Sequence, residues 1–254
     1  MSASTFPADR RILVTGACGG IGRAVVSALL AGGARVVALD LPRMMEREPP
    51  SPGVTGIPCD LTAPAEVEAA LRAVEAEAPA LDGLVALAGF ARAKAPLGQT
   101  APDTWSEVLD GNLDTTFLPV RAALPLLRRG VDPAIVTMAS GLALKAAPGY
   151  GAYGVAKAGV IALTKLVAAE EAPLIRANAV APAAVDTAFL RGGSAHGEPG
   201  QALRLDLDAY LASVPLRRLA TPDEIAEPIL FLLSPAARYI TGQTLHINGG
   251  SLMP

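Results

Sequence analysis

Residues 11–30 read RILVTGACGGIGRAVVSALL, and this stretch decides the fold. Residues 11–15 form a short β-branched and apolar run of the kind that makes a buried strand. Gly16, Gly20 and Gly22 follow at once, and after them comes a helix-periodic apolar segment with Val25, Val26 and Leu29. Strand, glycine turn and helix in that order make a phosphate-binding βα unit. One glycine serves a tight turn, one lets the backbone approach a pyrophosphate, and one lets the helix pack closely on the sheet. The helix N-terminus adds unsatisfied N–H groups and the positive end of its dipole. Glycines punctuate many turns, so the reading rests on their position between strand and helix.

The same alternation continues along the chain. Candidate strands lie at 11–15, 35–39, 54–59, 84–88, 134–138, 177–181 and 244–247, with helical spacings such as Val67, Ala70, Leu71 and Val74 between them. The prediction is an α/β fold: a doubly wound parallel seven-stranded sheet of Rossmann type, with helices on both faces, forming one domain over residues 1–254. Two segments break the rhythm. Residues 42–53 hold four prolines, so a surface connection without regular helix is expected there. Residues 189–215 begin glycine-rich and turn helical, which suggests a substrate lid at about 188–214, with a disordered insertion as the alternative.

Composition narrows the function classes. The chain has 254 residues, 51% hydrophobic and 18% charged, which suits one soluble domain. A net charge of -3 without a basic run gives no footprint for nucleic acid or an anionic membrane surface. No run of 18 uncharged apolar residues is present, so no membrane span is expected. The segment beginning RRILVTG mimics a twin-arginine signal, but Arg23 interrupts its apolar stretch. Cys18 and Cys59 are too few for a metal ribbon or disulfide scaffold, and a reducing cytoplasm fits them. His196 and His246 lack metal-type spacing, so no metal site is expected.

Asp40 closes the second strand 18 residues after Gly22 (40 − 22), near the offset at which an acid meets the adenosine ribose. A carboxylate there accepts ribose hydroxyls and repels a 2′-phosphate, which favours NAD over NADP. The alternative is a strand cap, and Arg43 could meet a phosphate were the chain not turned first by Pro42. Asp60, after the third strand, either reaches the adenine edge or caps its own loop. The candidate cofactor contacts of this half are Gly16, Cys18, Gly19, Gly20, Ile21, Gly22, Asp40, Leu41, Asp60 and Leu61.

The chemistry centres on YGAYGVAK, residues 150–157. If 149–169 is helical, Tyr153 and Lys157 lie one turn apart on one face, and the lysine leans back toward the tyrosine. Tyr150 lies about 10.5 Å along the axis from Lys157, too far for comfortable reach. A phenol with an ordinary pKa near 10 is a poor base. An ammonium about 4 Å away offers roughly 4 kcal/mol, about three pKa units, so Lys157 is expected to lower Tyr153 toward working pH. Ser140, at the end of the fifth strand, can hydrogen-bond the substrate oxygen beside that phenol.

The set TGACGGIG, GNLDTTF, Ser140, YGVAK and ITGQTLHINGG resembles the short-chain dehydrogenase/reductase family over essentially the whole chain. The resemblance implies a fourth catalytic residue, Asn112, holding a water on a proton relay behind Lys157. It also implies that Lys157 and Tyr153 contact the nicotinamide ribose, and that Ala88, Gly89, Pro182, Val185 and Thr187 line the nicotinamide side. Where the family usually has Asn-Asn-Ala-Gly, this chain has Ala86, Leu87, Ala88 and Gly89, which puts local bracing hydrogen bonds in doubt. Ala183 replaces a usual glycine and requires a backbone angle that tolerates a Cβ.

The leading expectation is an NAD-dependent oxidoreductase exchanging hydride with a secondary alcohol or ketone. One alternative is a 3-oxoacyl thioester reductase using NADPH; another is a non-catalytic dinucleotide-sensing protein. Phe90, Leu142, Ala143, Phe189 and Leu190 could line an apolar substrate pocket, and Lys94, Lys145 or Arg191 could meet an acidic group. Residues 152–169 are apolar nearly all round, so a partner helix from a second copy is expected, giving a dimer or tetramer.

Overall fold

The computed structural model describes residues 7–92, 94–191 and 205–253. Its seven strands are β1 (Arg11–Thr15), β2 (Arg35–Asp40), β3 (Thr55–Pro58), β4 (Gly83–Ala86), β5 (Ala134–Met138), β6 (Arg176–Pro182) and β7 (Thr244–Ile247). They form one sheet in the order β3-β2-β1-β4-β5-β6-β7, parallel throughout. The expected doubly wound architecture is the one observed. The order reverses between β1 and β4, and that switch point opens a crevice at the carboxyl edge of the sheet.

Strand alternation divides the core in two. Ile12 and Val14 of β1 face one way, against Val25, Val26 and Leu29 of α1 (Gly20–Ala31) and Ile225, Ile229 and Leu233 of α8 (Asp223–Leu233). Leu13 faces the other way, with α3 (Pro64–Glu77), α5 (Thr115–Leu127) and α6 (Gly151–Glu171) supplying Val67, Leu71, Val120, Leu127 and Val167. Arg176 of β6 is 8% exposed and donates to the carbonyls of Leu232, Leu233, Ser234 and Ala237, so it caps the end of α8 from inside the protein.

Several boundaries differ from the sequence reading. The fourth strand, Gly83–Ala86, lies slightly earlier than the expected 84–88, which releases Leu87 and Ala88 from the sheet. Residues 42–53 contain a helix after all, α2 (Pro42–Arg47). Pro42 occupies its first turn, where a missing N–H costs nothing, and the other three prolines follow its end. Helix α6 starts two residues later than expected because Gly149 has φ +86°, which a right-handed helix cannot contain. By length and composition α6 could cross a bilayer. Here Val160, Thr164, Val167 and Ala168 are buried and the helix packs on β5 and β6, so it serves as a core helix. Within 189–215 the glycine-rich part, with His196, lies outside the described residues, and the helical part is α7 (Leu207–Ser213).

Candidate active site

The crevice at the switch point is a cavity of about 900 Å³. Every candidate catalytic and cofactor residue named from the sequence lines it. The glycines show why. Gly16 has φ +67°, and a Cβ there would stand 2.8 Å from the Ala88 nitrogen, while a Cβ on Gly22 would stand 2.1 Å from the Gly16 carbonyl oxygen. A side chain at either place would collide with backbone, that of Leu87 and Ala88 in the first case and that of the loop itself in the second. Helix α1 begins at Gly20 with no side-chain cap, so its first-turn N–H groups at the cavity wall are left for a ligand.

Asp40, 8% exposed, sits beside that loop. Its carboxylate accepts the Cys18 N–H at 2.9 Å and the Leu41 N–H at 2.8 Å. Burial raises its pKa, and those two hydrogen bonds work against the rise. Asp60 adopts the loop-capping role, accepting from the Thr62 N–H and hydroxyl at 2.9 and 2.7 Å, while still lining the cavity. A glycine cradle, an open helix N-terminus and a buried carboxylate at the end of β2 fit a dinucleotide. Sequence reasoning set Arg43 aside and missed Met44 and Arg47, yet α2 brings all three to the wall of the same space. Pro42 at a helix start was the signal that could have found them.

At the other end, Ser140 follows β5 and its side chain hydrogen-bonds the Tyr153 phenol. Lys157, 2% exposed, places its Nζ 5.7 Å from the Tyr153 ring centroid and donates to the Met138 carbonyl at 2.9 Å. The expected lowering of the phenol is not what the surroundings of Tyr153 produce. Burial pushes Tyr153 up to about 12, offset in part by the Ser140 hydrogen bond, and pushes Lys157 down to about 8. Desolvation outweighs the mutual effect because Lys157 lies against the ring and spends a proton on Met138.

Between α4 (Pro102–Leu109) and α5 the chain makes a π-turn, Asp110–Asp114, which turns Asn112 inward. Asn112 is fully buried; its Nδ2 donates to the carbonyls of Phe90 and Val108 at 2.8 and 2.9 Å, and its Oδ1 has no partner. A Cβ on Gly89 would lie 2.6 Å from that Oδ1 and 3.1 Å from Lys157 Nζ. The space above Gly89 therefore touches both polar groups, and a water there would bridge them.

The remaining sequence expectations divide. Phe90, Leu142, Phe189, Leu190, Lys94 and Lys145 line the cavity. Ala143 does not; it packs with Val160, Ile161 and Ala179. The side chain of Arg191 lies outside the described residues. Ala183 avoids the left-handed region, so its Cβ is tolerated. Among the described residues no cluster of three metal-ligating side chains occurs. Tyr210, which no sequence signal marked, reaches the cavity from α7 and accepts the Ala184 N–H at 3.1 Å.

A family model described as "Enoyl-(Acyl carrier protein) reductase" matches residues 16–251. The fold superposes with TM-score 0.88 on a short-chain dehydrogenase/reductase, glucose/ribitol dehydrogenase, from Brucella melitensis, at 32% identity over 99% of this chain and 100% of that one. The chain belongs to the short-chain dehydrogenase/reductase family. This family member is 34% identical over 245 residues to the 3-oxoacyl-(acyl-carrier-protein) reductase FabG of Salmonella typhimurium, covering 95% of this chain and 96% of that protein. It is 38% identical over 253 residues to the D-threitol dehydrogenase of Mycolicibacterium smegmatis, covering 96% and 94%. As a short-chain dehydrogenase/reductase it is an NAD(P)-binding oxidoreductase acting on CH–OH or keto groups. Thr15, fully buried and in register with Ala86, has a hydroxyl without a hydrogen-bond partner among the described residues.

Proposed function

We propose that the protein is an NAD-dependent oxidoreductase of secondary alcohols and ketones, with Ser140, Tyr153, Lys157 and Asn112 as its catalytic residues. The observation that carries this reading is the convergence of these four side chains at one end of the cavity whose other end holds the glycine cradle and Asp40. NAD, when bound, supplies the carbon that accepts or returns hydride. The loop from Gly16 to Gly22 holds its pyrophosphate, and Asp40 and Leu41 meet its adenosine ribose. Asp60, Leu61, Ala88, Gly89, Pro182, Val185 and Thr187 line its flanks.

Ser140 Oγ holds the substrate oxygen. Tyr153 Oη takes the hydroxyl proton on oxidation and gives it on reduction. With its pKa near 12 the phenol is protonated at neutral pH, ready to act as the acid in carbonyl reduction. Lys157, still mostly cationic at neutral pH with its pKa near 8, stabilises the phenolate that is left after reduction and that must be present before oxidation. Asn112 Oδ1 and Lys157 Nζ share a water through which the proton is replaced.

The buried carboxylate of Asp40 supports NAD over NADP. Arg43 and Arg47 on the same cavity wall support a second reading, an NADPH-using 3-oxoacyl thioester reductase. Steady-state rates with NADH and NADPH across alcohols, ketones and a 3-oxoacyl thioester decide between them. Tyr153→Phe retaining full turnover would sink the mechanism. A sensing role without chemistry predicts NADH binding with no hydride transfer to any carbonyl.

The two free buried cysteines support a reducing compartment, the cytoplasm. Val155 and Leu166 of α6 and Phe117 of α5 are exposed, at 52%, 52% and 41%. They support a homo-oligomer, dimer or tetramer, in which a second copy covers these helices. A monomer by light scattering at micromolar concentration refutes it.

A further inference from the structure

We infer that the substrate carries an anionic group, a carboxylate or phosphoryl, held at the cavity mouth by Lys94 and Lys145. This rests on the reading of the cavity as the alcohol- or ketone-converting site and names the class of molecule it takes. Near Tyr153 the wall is apolar, formed by Phe90, Leu142, Phe189 and Leu190. Two lysines reach the cavity from segments that adjoin the reacting groups.

Lys94 places its Nζ 5.1 Å from the ring centroid of Tyr150, the residue three before Tyr153. Its stem is fixed from below: a Cβ on Gly149 would stand 2.9 Å from Lys94 Cβ, and the Ala95 N–H donates to the Gly149 carbonyl at 3.3 Å. Lys145 hangs from the turn that follows Ser140, its own N–H donating to the Gly141 carbonyl at 3.1 Å. Among the described residues neither lysine has a carboxylate within ion-pair distance.

The acids lining this end of the cavity do not neutralise them. Glu107 is gripped through both its oxygens by Arg92. Asp110 is exposed and, among the described residues, makes no ion pair with either lysine. Two ammonium groups that have no carboxylate partner among the described residues, above an apolar wall, complement an apolar carbon body with an anionic end.

The test is NADH- or NADPH-linked reduction of matched pairs: acetoacetate, levulinate and an oxocyclohexanecarboxylate, each against its methyl ester. D-threitol oxidation runs alongside. The expected result is kcat/KM at least about tenfold higher for the best acid than for its ester, chiefly through KM. That ratio should shrink in Lys94→Gln and Lys145→Gln, and with rising salt. Esters matching their acids, equal losses for acid and ester in the lysine variants, or threitol outpacing every acid each overturn the inference and leave the oxidoreductase reading standing. NADH binding by fluorescence titration without turnover of any acid, ester or polyol overturns that reading and this inference with it.

Discussion

Replacing Gly89 with alanine tests the relay directly. Gly89 avoids the left-handed region, so its backbone accepts an alanine and only the added Cβ matters. That carbon would stand 2.6 Å from Asn112 Oδ1 and 3.1 Å from Lys157 Nζ, against an ordinary contact of at least 3.4 Å. The shortfalls are 0.8 Å (3.4 − 2.6) and 0.3 Å (3.4 − 3.1). A lysine end gives 0.3 Å easily. Asn112 cannot give 0.8 Å without loosening its bonds to Phe90 and Val108, both of which are buried. Overpacking of this kind costs about 1–3 kcal/mol, which lowers Tm by about 2–4 °C for each kcal/mol in a domain of this size.

The functional effect should exceed the structural one, because the same carbon fills the space where a water would join Asn112 to Lys157. Loss of a positioned proton-transfer path predicts a kcat about a hundredfold lower at saturating cofactor. The assay is steady-state kinetics of Gly89→Ala, Asn112→Ala and the double variant. If the two residues share one water, the double variant is barely slower than the worse single variant. A kcat within about threefold of wild type, or losses that multiply in the double variant, would refute the shared-water reasoning.

Lys157→Met should abolish turnover yet raise Tm slightly, since relief of the buried charge outweighs the donor lost to the Met138 carbonyl, a net gain of about 1 kcal/mol. Because the folded lysine pKa is depressed to about 8 from an ordinary 10.5, burying its charge costs stability at and below pH 8, and wild type regains that stability as pH rises from 8 toward 10.5. Thermal melts should therefore show the gap between variant and wild type closing over that window. Thr15→Val removes a hydroxyl without a partner, so denaturant unfolding should find it about 1 kcal/mol more stable or neutral. Destabilisation beyond about 1 kcal/mol would mean that the hydroxyl has a partner after all. Arg176→Met leaves the buried carbonyls at the end of α8 without a donor, and a loss of about 2–4 kcal/mol in denaturant unfolding is expected with activity per folded molecule retained.

How much was legible in the sequence depends on the range of the interaction involved. The phosphate loop could be read because its constraints are local: a strand, three glycines and a helix start fall within twelve residues, Arg11 to Gly22. The pairing of Tyr153 with Lys157 could be read because helix periodicity places them on one face. The boundaries of α6 could not, since they depend on the φ of Gly149. The helix in 42–53 was overlooked because counting prolines obscured where they fall relative to a helix end.

The sequence by itself determined the alternation of strands and helices, the dinucleotide cradle and the Ser140, Tyr153 and Lys157 set. These follow from backbone conformations and spacings that one segment dictates for itself. Only the tertiary structure decided the protonation balance at the site. Burial depends on the elements packed around a group, and it drove Tyr153 and Lys157 toward their neutral forms where pairwise attraction alone predicted the opposite for the phenol. The fold also decided which distant residues share the cavity. Lys94 over Tyr150, Tyr210 against Ala184, and Gly89 beneath Asn112 and Lys157 are contacts between segments far apart in the chain, and no local pattern encodes them.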